Sequence, residues 1–267
     1  MNYTFGCAKH LYQAAIHPRL YCGPEEIARL QRQIRSGQGQ LLMQALRRKV
    51  RPLVQAVMDR DADLPRMLAH HTVRQGPYGG LILDYINDMA LVGVLDEDTR
   101  TIGAVIRALR ALPAAEQIGP HDTYSIGWAS VGIMQHAYDL VYSRMTEADR
   151  QAFQAWVVEL CILAAVKRLG AGHFLRSAGA NTPMVGAISA MLSVLAIEGD
   201  SGVPNLTAAK RDLLRYFEAA LYCSMGPEGY PAEDIAYGTG MVSYQARVVE
   251  ALRRAGDYDA YTQCPRY

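Results

Sequence analysis

The sequence predicts an all-α protein built from antiparallel helical hairpins. Three observations lead there. Apolar residues recur at helical spacing in segment after segment. No stretch shows the apolar–polar alternation of a convincing strand. Short connections such as DED, TEAD and GDSGVP alternate with long ones. Hairpins set side by side collect one set of connections at each end, so the long loops at 61–80, 113–128, 170–183 and 226–240 are expected to share a face. Loops of that length are functional or disordered, and these carry too much Gly and aromatic character for disorder.

In order, residues 1–22 read as an irregular N-terminal segment, and 23–267 as a single helical domain. GPEEIARLQRQIRSG starts a helix, with Pro24 suited to its first turn and Glu25 and Glu26 to its positive end. GQLLMQALRRKVRPLVQAVMDR continues at helical spacing, with Pro52 expected to kink it or end its first half. LILDYINDMALVGVLD and EDTRTIGAVIRALRALP form a helical pair with a tight connection, and VGIMQHAYDLVYSRM follows a second long loop. TEAD predicts a reciprocal cap between Thr146 and Asp149, opening a helix from Glu147 to about Leu169. MVGAISAMLSVLAIEG, NLTAAKRDLLRYFEAALYCSM and MVSYQARVVEALRRAG complete the chain.

Length and composition fit a folded domain with a large core. The net charge of +1, with no dense Lys/Arg run, selects neither nucleic acid nor an anionic membrane. Five cysteines without CxxC spacing read as free, mostly buried thiols, which allow a cytoplasmic, reducing location. The first 20 residues lack the unbroken apolar stretch of a signal peptide, and no run is long enough to span a bilayer.

Four segments together resemble one family. HPRLYCGPEEIARLQRQI is similar to the N-terminal lead-in of the heparinase II/III-like and alginate-lyase-like polysaccharide lyases. GWASVGIMQHAYDLVYSRMTEADRQAF is similar to their middle hairpin, AGANTPMVGAISAMLSVLAIEGD to the helix after their catalytic asparagine, and GPEGYPAEDIAYGTG to their tyrosine-bearing stretch. The resemblance runs from about His17 to Asp257 and rests on order and spacing. It implies an incomplete (α/α) toroid of antiparallel hairpins, with the family's C-terminal β-sandwich absent from this chain. It also implies an acidic polysaccharide or oligosaccharide as partner, no cofactor, and a family that is often periplasmic or secreted. A missing β-sandwich domain or a homo-oligomer is a further partner to expect.

Such lyases cleave uronate-containing glycans by β-elimination. The C5 proton lies alpha to a carboxylate, so donors must offset that charge before a base removes the proton. The resemblance places the neutraliser at Asn181 and the base or acid at Tyr237, 56 positions apart. Asn181, between a glycine-rich loop and Pro183, also reads as a helix cap. Many relatives follow the asparagine with histidine. Thr182 stands here, and His173 in the same loop is the substitute donor or a plain loop histidine.

Tyr237 needs a lowered pKa or a close partner, and Arg176 is a candidate cation; a buried, bonded phenol is the alternative. Glu233, four residues earlier, orients the tyrosine or binds a sugar hydroxyl, or else stabilises its loop. Asp234 stands where relatives often have glycine. Tyr230, Trp128 and Tyr124 are candidate stacking platforms or packing residues, and His121, His70 and His71 lie in loops of the same face. The 70–71 pair lacks metal-site spacing, and no metal is expected.

Two rivals remain. A glycoside hydrolase on the same scaffold would use paired carboxylates drawn from Glu228, Glu233, Asp234 and Asp122. A non-catalytic glycan-binding domain would keep the scaffold without turnover.

Overall fold

The computed structural model of the chain describes Tyr12 and residues 15–59, 63–69, 85–118, 133–172, 181–224, 226 and 235–264. The described residues are overwhelmingly helical and contain no strand. In chain order the helices are α1 (Pro24–Gln33), α2 (Gly37–Asp59), α3 (Leu64–Ala69), α4 (Ile86–Asp96), α5 (Thr99–Ile118) and α6 (Ile133–Val141). After a 3-10 turn at Tyr142–Arg144 come α7 (Glu147–Val157), a π-helical stretch (Val158–Leu163) and α8 (Ala164–Gly170), in one unbroken helical run. The last are α9 (Asn181–Ile197), α10 (Thr207–Ser224), α11 (Ile235–Ala255) and the short α12 (Ala260–Gln263).

The local chemistry follows the sequence closely at two helix starts. Pro24 occupies the first turn of α1 with Glu25 and Glu26 beside it, and the Gly23 amide donates to Glu26 Oε2 at 2.7 Å. Thr146 caps α7: its Oγ1 accepts from the Asp149 amide at 3.2 Å, and Asp149 Oδ2 accepts in return from the Thr146 amide at 3.4 Å and from its hydroxyl at 2.7 Å. This reciprocal box satisfies N–H groups that a helix start leaves free.

Four expectations for loops and breaks are corrected. α2 runs through Pro52 from Gly37 to Asp59, which excludes the reading that the proline ends its first half. Pro52 and Arg48, the residue whose carbonyl loses its donor, are both exposed, where an unpaired carbonyl costs less than in the core. α5 likewise continues through Pro113 to Ile118, carried by the strong helix formers of AAEQ. Within the expected 61–80 loop, Leu64 and Leu68 are buried and hold α3 together. Within the expected 226–240 loop, α11 begins at Ile235, because packing of α11 on α9 offsets the helix cost of Gly238 and Gly240.

The helices form two layers. α4, α6, α9 and α11 pack in succession, α4 on α6, α6 on α9, α9 on α11. α2, α5, α7 with the π stretch, and α10 lie against them. α9 is apolar nearly all round, from Met184 to Ile197, as a helix surrounded by others must be. Contacts advance in step along the inner helices. Gln135 near the start of α6 reaches Ser193, and Tyr138 one turn later reaches Asp200. Met184 near the start of α9 meets Gln245, while Arg254 near the end of α11 meets Arg19, which bonds Ala196 at the end of α9. α6, α9 and α11 therefore run parallel, with the run from α7 to α8 returning the chain from α6 to α9 and α10 returning it from α9 to α11.

The α4–α5 hairpin closes at a glycine. A Cβ on Gly93 would stand 2.9 Å from Ile102 Cγ1 and 3.1 Å from its amide nitrogen, whereas one on Gly103 would meet nothing within 4 Å. Gly93→Ala should lower unfolding free energy by about 1–3 kcal/mol through overpacking. Gly103→Ala should raise it by about 0.5–1 kcal/mol through helix propensity. Denaturant titration of the two variants checks both signs.

Candidate active site

Asn181 is the first residue of α9 and Tyr237 the third of α11, so both lie at the N-terminal ends of parallel, packed helices. Their axial offset follows from the Met184–Gln245 contact. Asn181 lies three residues before Met184, and Tyr237 lies eight before Gln245. At 1.5 Å per residue these are about 4.5 and 12 Å, so α11 reaches roughly 8 Å beyond α9 at Tyr237. The two backbone positions thus form a step of saccharide scale. The N–H groups of α9's first turn have no partner within the helix and carry the positive end of its dipole.

His173, Arg176, Glu233, Tyr230, Trp128, Tyr124, His121, His70 and His71 lie outside the described residues, as do Glu228, Asp234 and Asp122. Among the described residues no group of three His, Cys, Asp or Glu side chains is placed to hold a metal ion, and no helix is long and apolar enough to cross a membrane. Cys22, Cys161 and Cys264 are buried thiols and Cys223 an exposed one. Burial pushes the Cys22 thiol up to about 12.

Beneath the step, one side chain fastens three helices. Gln245 Nε2 of α11 donates to Met184 Sδ in the first turn of α9 and to Ser224 Oγ at the end of α10, both at 2.9 Å. Further along the inner layer, Tyr21 meets the His136 ring edge-on at 4.7 Å between centroids. Burial drives the His136 imidazole down to about 4, with Arg247 opposing protonation as well. His136 is therefore neutral at ordinary pH.

At the far end of the inner helices lies a group the sequence reasoning did not pick out. His17 Nδ1 stands 2.7 Å from Asp139 Oδ1 and its Nε2 3.0 Å from Asp200 Oδ1, with all three side chains essentially inaccessible. A carboxylate only accepts, so donating from both ring nitrogens requires the imidazolium. Asp139 also accepts from the amides of Arg19, at 2.9 and 3.0 Å, and Leu20, at 2.9 Å. Arg19 Nη2 reaches Asp200 at 3.2 Å and caps α9 through the carbonyls of Ala196, at 2.8 Å, and Glu198, at 3.0 Å. The Tyr138 hydroxyl donates to Asp200 at 3.0 Å, and Gln154 Nε2 to the Tyr138 oxygen at 2.9 Å. Tyr142 stacks on the His17 ring at 3.8 Å.

Burial alone would push the His17 imidazole down, but its hydrogen bonds to Asp139 and Asp200 outweigh this and hold it raised. Burial would push the Asp139 carboxyl up, but His17 and the two amides hold it below the usual carboxylate range. Two cations and two anions balance. The segments that carry the family resemblance, HPRL, AYDL and IEGD, supply this cluster.

No protein-family model matches the chain, and no curated protein matches it.

The two histidines give opposite pH effects. His17 is raised on folding, so its stabilisation is complete below about 6.5 and is lost as pH rises through the folded value. His136 is lowered, so folding is opposed as pH falls from about 6.5 towards 4, by about 3 kcal/mol in total. His17→Gln should flatten the alkaline limb of the stability–pH profile, and His136→Asn the acid limb. Denaturant midpoints from pH 4 to pH 9 check both, and an unchanged alkaline limb in His17→Gln would contradict the imidazolium assignment.

Proposed function

We propose that the chain is the helical domain of a polysaccharide lyase that cleaves a uronate-containing glycan by β-elimination. One observation carries the reading: Asn181 and Tyr237 begin adjacent parallel helices, about 8 Å apart in axial height. On this reading the two layers form part of an (α/α) toroid with the substrate across the N-terminal ends of its inner helices.

The reaction needs three things in sequence. The uronate carboxylate must lose part of its charge before C5 will give up a proton. The first-turn amides of α9 favour an anion, and the Asn181 amide is assigned to donate to the same carboxylate, stabilising the enolate that follows. Tyr237, as phenolate, takes the C5 proton. The electron pair moves into the C4–C5 bond as the C4–O bond breaks, and the leaving oxygen takes a proton, returned by Tyr237 or given by a second acid. His173 is assigned as a supporting donor at the carboxylate. The products are a new non-reducing end bearing an unsaturated uronate and a shortened chain with its hydroxyl restored.

This order explains why the neutraliser belongs on a buried, well-fastened helix. α9 is held at its first turn by Gln245 and at its last by Arg19. A donor on such a frame loses little orientation between ground and transition state.

The test is ultraviolet detection of the unsaturated product against polyuronates and glycosaminoglycans. Tyr237→Phe should lower kcat by about 10²-fold or more with KM little changed. Asn181→Ala should lower kcat/KM comparably. A Tyr237→Phe protein with full rate would contradict the assignment, and a plain reducing sugar as product would favour hydrolysis.

A further inference from the structure

The net charge of +1 is a whole-chain balance that hides a local one. Residues 27–58 hold seven basic side chains and no acid. They cover most of α1 and nearly all of α2. Ion pairs cancel part of this charge. Arg47 bonds Asp96 at 2.6 Å, Lys49 reaches Asp88 at 3.4 Å and lies over the Tyr85 ring, and Arg29 lies beside Glu26. Arg32, Arg35, Arg48 and Arg51 are exposed and make no ion pair among the described residues. Glu97, across a cleft from Arg35, offsets one of them, so the surface keeps an excess of positive charge.

The same surface carries the most exposed large apolar side chains among the described residues. Leu41 is 65% and Leu42 72% exposed. α2 buries Met43, Val50, Leu53, Val54 and Val57 on its inner face. At the helical period, Leu41, Ala45, Arg48 and Pro52 form one line on the opposite face, with Leu42 and Lys49 on one flank and Gln44 and Arg51 on the other. All of these are exposed. A Cβ on Gly39 would collide with the Gln33 carbonyl, so the first turn of α2 lies against the end of α1. Arg32 and Arg35 therefore stand at the same end of this ridge as the two leucines.

We propose that this outward ridge of α2 docks on an anionic lipid surface, with Leu41 and Leu42 entering the boundary between headgroups and acyl chains and the arginines meeting lipid phosphates. Each arginine can lay its methylenes along the apolar boundary and keep its guanidinium at phosphate depth. Two leucines alone bind weakly, and cations alone hold a protein above the surface without insertion; the two together anchor it. A convex ridge meets a plane along its whole length. A second copy of the chain would set the same arginines against one another, and α2 has no aromatic side chain to stack a nucleobase. Nothing in the ridge depends on the lyase reading.

The test is co-sedimentation of the full chain with vesicles of mixed phosphatidylcholine and phosphatidylglycerol, against vesicles of phosphatidylcholine alone. The protein should bind the anionic vesicles only, and rising salt should weaken that binding. Arg48→Gln with Arg51→Gln should weaken it about fivefold for each charge removed. Leu41→Gln with Leu42→Gln should weaken it about tenfold or more with charge unchanged. All four side chains are exposed, so the circular dichroism melting curves should match the parent's. A separate Leu42→Trp variant reads insertion directly: its added fluorescence should shift to the blue, and be quenched by brominated acyl chains, in anionic vesicles only. Equal binding to phosphatidylcholine alone, full binding without the two leucines, or no vesicle binding at all would each overturn the proposal; the last is the result if the ridge meets an acidic protein instead. A dimer in sedimentation equilibrium that the leucine substitutions dissolve would overturn it in favour of a second copy.

Discussion

A buried, charge-balanced cluster of His17, Arg19, Asp139 and Asp200 sets the level of the inner helices. Taking four charges from water is costly, and close pairing offsets that cost; the match is incomplete at Arg19, whose Nε and Nη1 are buried without a hydrogen-bond partner among the described residues, the guanidinium lying 5.1 Å from the centroid of the Tyr12 ring. Such a cluster specifies one arrangement, because sliding any inner helix by a turn strands a charge. Asp139 sits on α6, Asp200 follows α9, and Arg19 spans to α11 through its carbonyl, which accepts from Arg254 Nε at 3.4 Å. Arg254 in turn holds Glu26 of α1 at 2.6 Å. The lead-in segment therefore works as a strap across the C-terminal ends of the inner layer.

That strap accounts for the division of labour along the molecule. One end is fastened by paired charges and short turns. Hydrocarbon packing carries order from there to the other end: α4, α6 and α9 are buried on almost every side, and Gln245 ties α9, α10 and α11 just below the N-terminal ends. Rigid helices held at depth can present Asn181 and Tyr237 at a constant separation. A site assembled from loops alone would lack that reference frame.

Much of this was legible in the sequence, and the exceptions have physical causes. The helices with clear periodicity, the Thr146–Asp149 cap and the start of α1 follow from local chemistry that a single strand of sequence contains. Pro52 and Pro113 misled because the cost of a helical proline depends on what surrounds the lost carbonyl, which only tertiary structure reveals. Gly238 and Gly240 misled for a related reason: packing on α9 overrides their low helix propensity. The strap was quoted as motif and missed as function, since His17, Asp139 and Asp200 are separated by 122 and 61 positions and nothing local links them. Asn181 was legible as a helix start, whereas Tyr237 was expected in a loop and stands in the first turn of α11. The loop residues expected around it, from His71 to Glu233, lie outside the described residues.

The account stands on a doubly protonated His17 inside a closed cluster. Nitrogen-15 NMR of the imidazole in the folded protein at pH 7 tests this most directly. Both ring nitrogens should carry protons and keep them in slow exchange with water. A neutral tautomer at that pH, with one nitrogen bare towards Asp139 or Asp200, would contradict the charge balance and remove the cluster as the element that sets the inner helices.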